Sequence, residues 1–175
     1  EGIHFLVPCG STGEAATMTV DEHRRTVEIV VQQTRGRVPV VAGAGSNDTQ
    51  KAIALSRTMR DGGATHLLHT SPMYNKPPQR GIVAHYRAIA EAVDLPIVVY
   101  NVPGRTGSNV EAKTMGKACG KYIDILAIAP YFGCYVSAAK LRSTVSSWSA
   151  QADGGLNQLF SEIMGTEGVA AVGAP

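Results

Sequence analysis

Short apolar runs rich in valine, isoleucine and leucine alternate with longer amphipathic stretches from residue 3 to about residue 129. The nearly continuous apolar runs predict strands that are buried on both faces, over Ile3–Val7, Val38–Ala42, His66–His69, Ile97–Tyr100 and Ile125–Ile128. Helical spacing between them predicts helices over Val20–Thr34, Thr49–Arg60, Gly81–Val93 and Val110–Ala118. Regular alternation of strand and helix predicts parallel strands joined by right-handed crossovers.

Strands about 30 residues apart fit both a (β/α)8 barrel of the TIM type and an open doubly wound sheet. The loops that follow four successive strands are all polar and read PCGSTGE, AGAGSND, HTSPMYNKP and NVPGRTG. An open sheet concentrates its ligand at one switch point, whereas a barrel builds its site from many loops. We therefore expect an α/β fold, a partial TIM-type barrel in which the first strand is absent.

The alternation weakens after residue 129, where only Leu156–Met164 and Val169–Val172 have the pattern of a helix and a strand. A complete barrel of eight units takes about 250 residues, and this chain has 175. We expect residues 1–129 to form barrel units and residues 130–175 to form an atypical α/β tail that we leave unassigned.

Composition and charge narrow the classes of protein. Hydrophobic residues make up 44% of the chain and charged residues 17%, as in globular proteins. A net charge of +2 without a block of Lys or Arg predicts no nucleic-acid partner and no membrane partner. The three cysteines are widely spaced and predict no disulfide framework, which favours a cytoplasmic location. The five histidines lack ligand spacing, so we expect them to be structural or exposed and predict no metal site.

Hydroxyl and guanidinium groups in the polar loops are the candidates for chemistry. Ser11 and Thr12 lie between two glycines after a strand, where they either hold a carboxylate and relay protons or cap a helix. Tyr74 lies on a proline-bounded loop that, taken alone, favours a surface or interface segment. Tyr100 ends a buried strand, and Arg105 follows beyond a proline–glycine turn. A strand-end tyrosine can transfer protons, and an arginine fork can hold a carboxylate by two hydrogen bonds.

The segments GSTGE, AGAGSND, SPMYNKPPQRG and DLPIVVYNVPGRTG, in this order, resemble the dihydrodipicolinate synthase/N-acetylneuraminate lyase family over about residues 2–118. The PGRTG segment is similar to the dihydrodipicolinate synthase branch. The enzymes of that branch are lyases of lysine and diaminopimelate biosynthesis. In them, pyruvate forms a Schiff base with a lysine, and the enamine derived from this Schiff base attacks L-aspartate 4-semialdehyde. The resemblance implies these two substrates, no cofactor and a homo-oligomer, either a dimer or a homotetramer. It also implies that residues 1–129 correspond to strands 2 to 6 of the barrel.

The same resemblance implies roles for five residues. Tyr100 is the proton donor and acceptor beside the imine. Ser11 stands where the branch usually has the threonine of its proton relay, and Tyr74 matches the relay tyrosine that reaches into a neighbouring subunit's site. Thr12 helps to hold the pyruvate carboxylate, and Arg105 holds the carboxylate of the aldehyde.

The chain departs from the family at the position of the Schiff-base lysine. The family carries an isoleucine–lysine–glutamate motif on a later strand, and Ala129 falls where its lysine is expected. An alanine has no amine with which to form an imine. Lys117, Lys121 and Lys140 are nearby in sequence, but none of them ends an apolar strand.

The chain also departs from the family at the feedback site where bacterial members bind lysine. His23 and Asn47 match that site, but Lys51 stands in place of a glutamate and Met73 in place of a tyrosine. A second cation where an ammonium group must be held is repulsive. We therefore expect insensitivity to lysine.

Three functional interpretations follow. The leading one is a pyruvate-dependent lyase, represented by a partial, fused or mis-assigned sequence. The second is a catalytically inactive barrel relative that binds a small carboxylate, or an interaction module that keeps only the scaffold. In the third, the chain is a fusion, and its C-terminal tail belongs to a carbohydrate-handling barrel and carries the function. The aromatic pair of AIAPYFG or Trp148 then contacts the sugar.

Overall fold

The computed structural model describes residues 3–111, 114 and 125–128 of the chain. Within this part, four strands form one parallel sheet, namely β1 (Val41–Gly43), β2 (His66–Thr70), β3 (Ile97–Asn101) and β4 (Ile125–Ile128). Their order in the sheet is their order in the chain. An open doubly wound sheet reverses its strand order at a switch point. The consecutive order is that of a barrel.

Helices connect these strands, and their ends are set by local capping. They are α1 (Val20–Thr34), α2 (Thr49–Asp61), α3 (Gln79–Ala92) and the one-turn α4 (Pro103–Thr106). At the start of α1, the Thr19 hydroxyl accepts from the Glu22 amide while the Glu22 carboxylate accepts from the Thr19 amide. At the start of α2, the Asp48 carboxylate accepts from the Lys51 amide at 3.0 Å. These caps determine where the preceding loops end.

The two faces of the sheet have different surroundings because successive side chains of a strand point to opposite sides. Leu67 of β2 packs with Val27 and Met59 of the helices, and Val99 of β3 packs with residues of α3. Thr70 and Tyr100 have the opposite parity, so they lie on the face away from the helices, and they are partners in the β2–β3 register. That face is the interior of the barrel.

The N-terminal segment runs beside β1 but is not a regular strand. One parallel bridge joins Leu6 to Val40, and the Gly43 amide donates to the Pro8 carbonyl at 3.0 Å. The strand predicted over Ile3–Val7 is therefore reduced to a single bridge residue, Leu6. The close approach depends on glycine, because a Cβ at position 43 would lie 1.9 Å from the Cys9 carbonyl oxygen.

The other predicted ranges agree with the structure to different degrees. The α1 and β4 ranges are those predicted, and α2, α3, β2 and β3 differ by one or two residues at their ends. The strand predicted over Val38–Ala42 is shorter and begins later, at Val41. The helix predicted to begin at Val110 does not begin there, because Val110 and Glu111 are not helical. The proline–glycine turn predicted at Arg105 is the one-turn helix α4 in the structure.

Several sequence-based expectations lie outside the described residues. They concern Ala129, the boundary after it, the helix over Leu156–Met164, the strand over Val169–Val172 and Trp148. None of the helices in the described residues combines the length and the apolar character that spanning a bilayer requires.

Candidate functional site

The candidate site lies where the parallel strands end. In barrels of this class the loops at the carboxyl ends of the strands bind ligands. Here those loops are residues 8–14, 44–48, 71–78 and 102–108. Together with β3 they carry the five residues expected from the sequence: Ser11, Thr12, Tyr74, Tyr100 and Arg105.

Tyr100 is held by the sheet itself. It is half-buried on the interior face, one residue before the end of β3. Its Cα lies opposite Thr70 of β2 and opposite Ala127 of β4. Its carbonyl also accepts a hydrogen bond from the Ser71 amide at 3.2 Å. A side chain carried by a strand is fixed more firmly than one carried by a loop, and strand pairing fixes the backbone of Tyr100 near the carboxyl end of β3.

Arg105 is exposed on α4, which forms the tip of residues 102–108, called here the Arg105 loop. The Thr106 hydroxyl donates to the Ser108 carbonyl at 2.8 Å and accepts from the Ser108 amide at 3.2 Å. Gly107 ends the turn with φ of +65°, in the left-handed region that favours glycine. The arginine is therefore presented to solvent by a short, internally bonded turn.

Tyr74 projects from residues 71–78, called here the Tyr74 loop, and its exposed fraction is 89%. Tyr74 and Lys76 both have left-handed backbone, with φ of +67° and +47°. Such a conformation costs about 1–3 kcal/mol in a residue other than glycine. The loop is held nonetheless, because the side chains of Asn47 and Asn75 form a hydrogen bond of 2.9 Å across to loop 44–48.

The Tyr74 loop and the Arg105 loop are joined along a buried seam. The hydroxyl oxygens of Ser71 and Ser108 lie 3.0 Å apart, and both serines are buried. Next to them, the Tyr74 amide donates to the Thr106 carbonyl at 3.1 Å. The structure thus connects the backbones that carry Tyr74, Tyr100 and Arg105.

Ser11 and Thr12 lie apart from that seam. They are exposed in a single 3₁₀ turn over Ser11–Gly13, which follows Gly10. Neither hydroxyl caps a helix, since Gly10 stands at the cap position and α1 takes its cap from Thr19. The capping interpretation is therefore wrong. In the sheet, β1 and β2 separate this loop from β3.

Three of the five histidines are buried, which agrees with the structural role predicted for them. The Nε2 atom of His23 is 2.9 Å from the Gly43 carbonyl oxygen, so this ring is engaged inside the fold. His69 Nε2 lies 3.1 Å from the Ser56 hydroxyl, and His85 Nδ1 lies 2.9 Å from the Thr49 hydroxyl. Burial, and secondarily the neighbouring His85, lowers the pKa of His69 to about 3. Among the described residues, no group of three or more His, Cys, Asp or Glu is placed to hold a metal ion.

Two polar residues, the buried Asn101 and the half-buried Gln79, were missed by the sequence reasoning. Asn101 and Gln79 hold the backbone just after the Arg105 loop. The available signal was an amide at the end of a buried strand, within YNVPGRTG. Buried amides require hydrogen-bond partners, so Asn101 had to bind a segment that returns to the strand end.

Consecutive parallel strands with polar loops at one end define an α/β barrel of the TIM type, of which this chain forms a part. Three solved structures support that class. A dihydrodipicolinate synthase from Acinetobacter baumannii complexed with pyruvate is 35% identical, with a TM-score of 0.78, and the match covers 89% of this chain and 50% of that one. A monomeric dihydrodipicolinate synthase variant has a TM-score of 0.74 at 35% identity, over 87% and 50% of the two chains. An enzyme from Cyanidioschyzon merolae with lysine bound has a TM-score of 0.70 at 33% identity, over 96% and 62%.

The sequence comparisons define the family. The profile of the dihydrodipicolinate synthetase family matches residues 1–172. A 4-hydroxy-tetrahydrodipicolinate synthase from Pelobacter propionicus is 51% identical over 140 residues, which are 80% of this chain and 48% of that protein. One from Rhodospirillum centenum is 53% identical over 117 residues, which are 67% and 40%.

The chain belongs to the dihydrodipicolinate synthetase family. This confirms the resemblance seen in the loop motifs and the expected partial barrel. The profile match also extends well past residue 118, where the recognisable motifs end. The chain spans about half the length of the relatives it matches.

Proposed function

We propose that this chain carries part of the site of a 4-hydroxy-tetrahydrodipicolinate synthase, a lyase of lysine biosynthesis that condenses pyruvate with L-aspartate 4-semialdehyde. Relatives of that name are about half identical to it, and a solved neighbour was complexed with pyruvate. The observation that carries the proposal is the seam that braces the Tyr74 and Arg105 loops beside the strand end of Tyr100.

In the reaction of a complete site, the carbonyl carbon of pyruvate bonds to a lysine amine, which this chain does not carry at position 129, and water leaves, giving an imine. Loss of a methyl proton gives an enamine, whose carbon attacks the aldehyde carbon. The Tyr100 hydroxyl passes the protons at the imine, and the relay consists of Ser11 and of Tyr74 from a neighbouring subunit. Thr12 helps to hold the pyruvate carboxylate, and the Arg105 guanidinium holds the aldehyde's carboxylate through two hydrogen bonds. Each of these steps uses side chains alone, so we propose no cofactor.

Ala129 favours a second candidate function. Without an amine at that position, the remaining residues can still bind a small carboxylate but cannot form the imine there. This candidate is a catalytically inactive relative that keeps the pocket. Calorimetry with pyruvate, combined with an assay for condensation product, separates the two. Heat with product supports the lyase, heat without product supports the binder, and absence of both contradicts the proposed site.

We further propose that the protein is a homo-oligomer, a dimer or tetramer, in the cytoplasm. A tyrosine with an exposed fraction of 89%, on a loop with left-handed backbone at Tyr74 and Lys76, is suited to contact a second subunit. Sedimentation of the protein and of Tyr74→Ala tests this. Loss of the oligomer in the variant supports the contact, and a monomeric parent protein contradicts it. The cytoplasmic location is supported by a buried, unpaired Cys9.

A further inference from the structure

The buried side chain of Asn101 closes the Arg105 loop. Asn101 is the last residue of β3 and its exposed fraction is 1%. Its Oδ1 atom accepts from the Val110 amide at 3.1 Å. Its Nδ2 atom donates to the Val110 carbonyl at 3.3 Å and to Asn109 Oδ1 at 3.0 Å. One side chain therefore binds both backbone groups of the residue at which the loop returns to the strand.

This closure matters because the Arg105 loop has little regular structure of its own. Helix α4 is four residues long, and isolated helices of that length are not stable in water. Within the loop, the Arg105 and Thr106 amides donate to the Val102 carbonyl, and the Gly107 amide donates to the Pro103 carbonyl. Those bonds maintain the shape of the turn, while Asn101 ties its far end to the sheet.

We infer that Asn101 is a positioning residue that acts through Arg105, fixing where the guanidinium meets the substrate carboxylate. The inference rests on the proposed role of Arg105 in binding that carboxylate. Asn101 itself faces the backbone and contributes no group to the substrate. Its neighbour Tyr100 is fixed separately by strand pairing on both sides. Disturbing Asn101 should therefore affect carboxylate binding more than it affects the position of Tyr100.

The closure requires an amide, because it needs a donor and an acceptor on one short side chain. Asn101→Asp keeps the acceptor for the Val110 amide but places a second carboxylate oxygen against two carbonyl-type oxygens, those of Val110 and Asn109. Asn101→Ala removes both functions. The matched control is Gln79→Ala. Gln79 binds the residues on either side of Val110, donating to the Asn109 carbonyl at 2.7 Å and accepting from the Glu111 amide at 3.1 Å, but does not bind Val110 itself.

The first measurement is amide hydrogen exchange of the full chain, which requires no ligand. In Asn101→Ala, the amides of residues 105–108 and 110 should exchange on the order of ten-fold faster. The Leu67 amide, which donates to the Pro96 carbonyl, should be unchanged. Gln79→Ala should leave residues 105–108 near their original rates. Equal protection in the Asn101 variant and the parent protein would overturn the inference.

The second measurement is the affinity for succinic semialdehyde, a stable aldehyde that carries a carboxylate. Asn101→Ala and Asn101→Asp should bind it about ten-fold more weakly, and Gln79→Ala should bind it as the parent does. The double variant Asn101→Ala/Arg105→Ala should bind no more weakly than Arg105→Ala, since both changes remove one interaction. Additive losses would contradict action through Arg105. If the parent protein does not bind succinic semialdehyde, the proposed role of Arg105 is contradicted. In that case the hydrogen-exchange rates by themselves test whether Asn101 holds the turn.

Discussion

The hydroxyls of Ser71 and Ser108 meet at 3.0 Å inside the fold, although 37 positions separate the two residues in the chain. One follows β2 and the other ends the Arg105 loop. This contact and the Tyr74–Thr106 backbone bond turn two loops into one braced unit at the barrel mouth. A loop pair of this kind can present its side chains with less loss of conformational entropy on binding.

The first prediction concerns this serine pair. Ser71→Ala or Ser108→Ala leaves the other hydroxyl buried without its partner, and each should lower the free energy of unfolding by about 1–2 kcal/mol. The double variant should lose clearly less than the sum, because no orphaned hydroxyl remains. Urea unfolding of the four proteins measures this cycle. Strictly additive losses would show that the hydroxyls do not interact.

The second prediction concerns the close approach at Gly43. In Gly43→Ala the new Cβ would overlap the Cys9 carbonyl, 1.9 Å away, so the N-terminal segment must move. The free energy of unfolding should fall by at least about 2 kcal/mol. Gly13→Ala is the control, because a Cβ there meets nothing within 4 Å. Equal stability of the two variants in a urea titration is the result that contradicts the packing described.

The third prediction concerns the buried histidines behind the sheet. The pKa of His69 falls from 6.5 to about 3 in the folded protein, so below pH 6.5 the unfolded chain binds a proton that the folded chain does not. Stability should therefore be highest above pH 6.5 and should fall, by about 1.4 kcal/mol per pH unit for His69, as the pH drops towards 3. His85 should add to this fall, since burial lowers its pKa as well, although the charge of Asp48 opposes that shift.

Unfolding measured across this pH range tests the prediction. His69→Gln keeps a nitrogen near the Ser56 hydroxyl but removes the titrating group, so its stability should depend less steeply on pH. The exposed His4 provides the control variant, His4→Gln. An unchanged slope in His69→Gln would mean that another group causes the acid sensitivity.

The fourth prediction concerns lysine. Lys51 is exposed, and its backbone amide donates to the Asp48 carboxylate at 3.0 Å. His23, a matching position of the family's feedback site, is instead buried against Gly43. We expect no lysine binding at millimolar concentration, and detectable binding in Lys51→Glu, where the repulsive cation is replaced. Calorimetric binding of lysine by the parent protein would contradict this expectation.

Local signals account for what the sequence predicted well. The Thr19–Glu22 capping box marks the start of α1 at the residue where the helix begins. The strand-end tyrosine and the turn with Arg105 follow from a buried apolar run and a proline–glycine pair. Parity along the strands then places Tyr100 on the interior face.

Contacts between residues that are distant in the chain explain the features that the sequence predicted poorly. Val110 looks apolar enough to begin a helix, but its amide is bound by Asn101, which lies nine positions earlier. The Ser71–Ser108 pair depends on two loops meeting, which no local pattern contains. Ser11 and Thr12 sit in a turn whose cap is Gly10 rather than a hydroxyl.

We propose a site that has its tyrosine and arginine but no amine at position 129 with which to form an imine. Pyruvate with borohydride, followed by intact-mass measurement, tests it most directly, because borohydride converts an imine into a stable adduct. We predict that the parent chain gains no pyruvate mass and that Ala129→Lys gains one reduced adduct mapped to residue 129. An adduct on the parent chain at Lys117, Lys121 or Lys140 would contradict the claim.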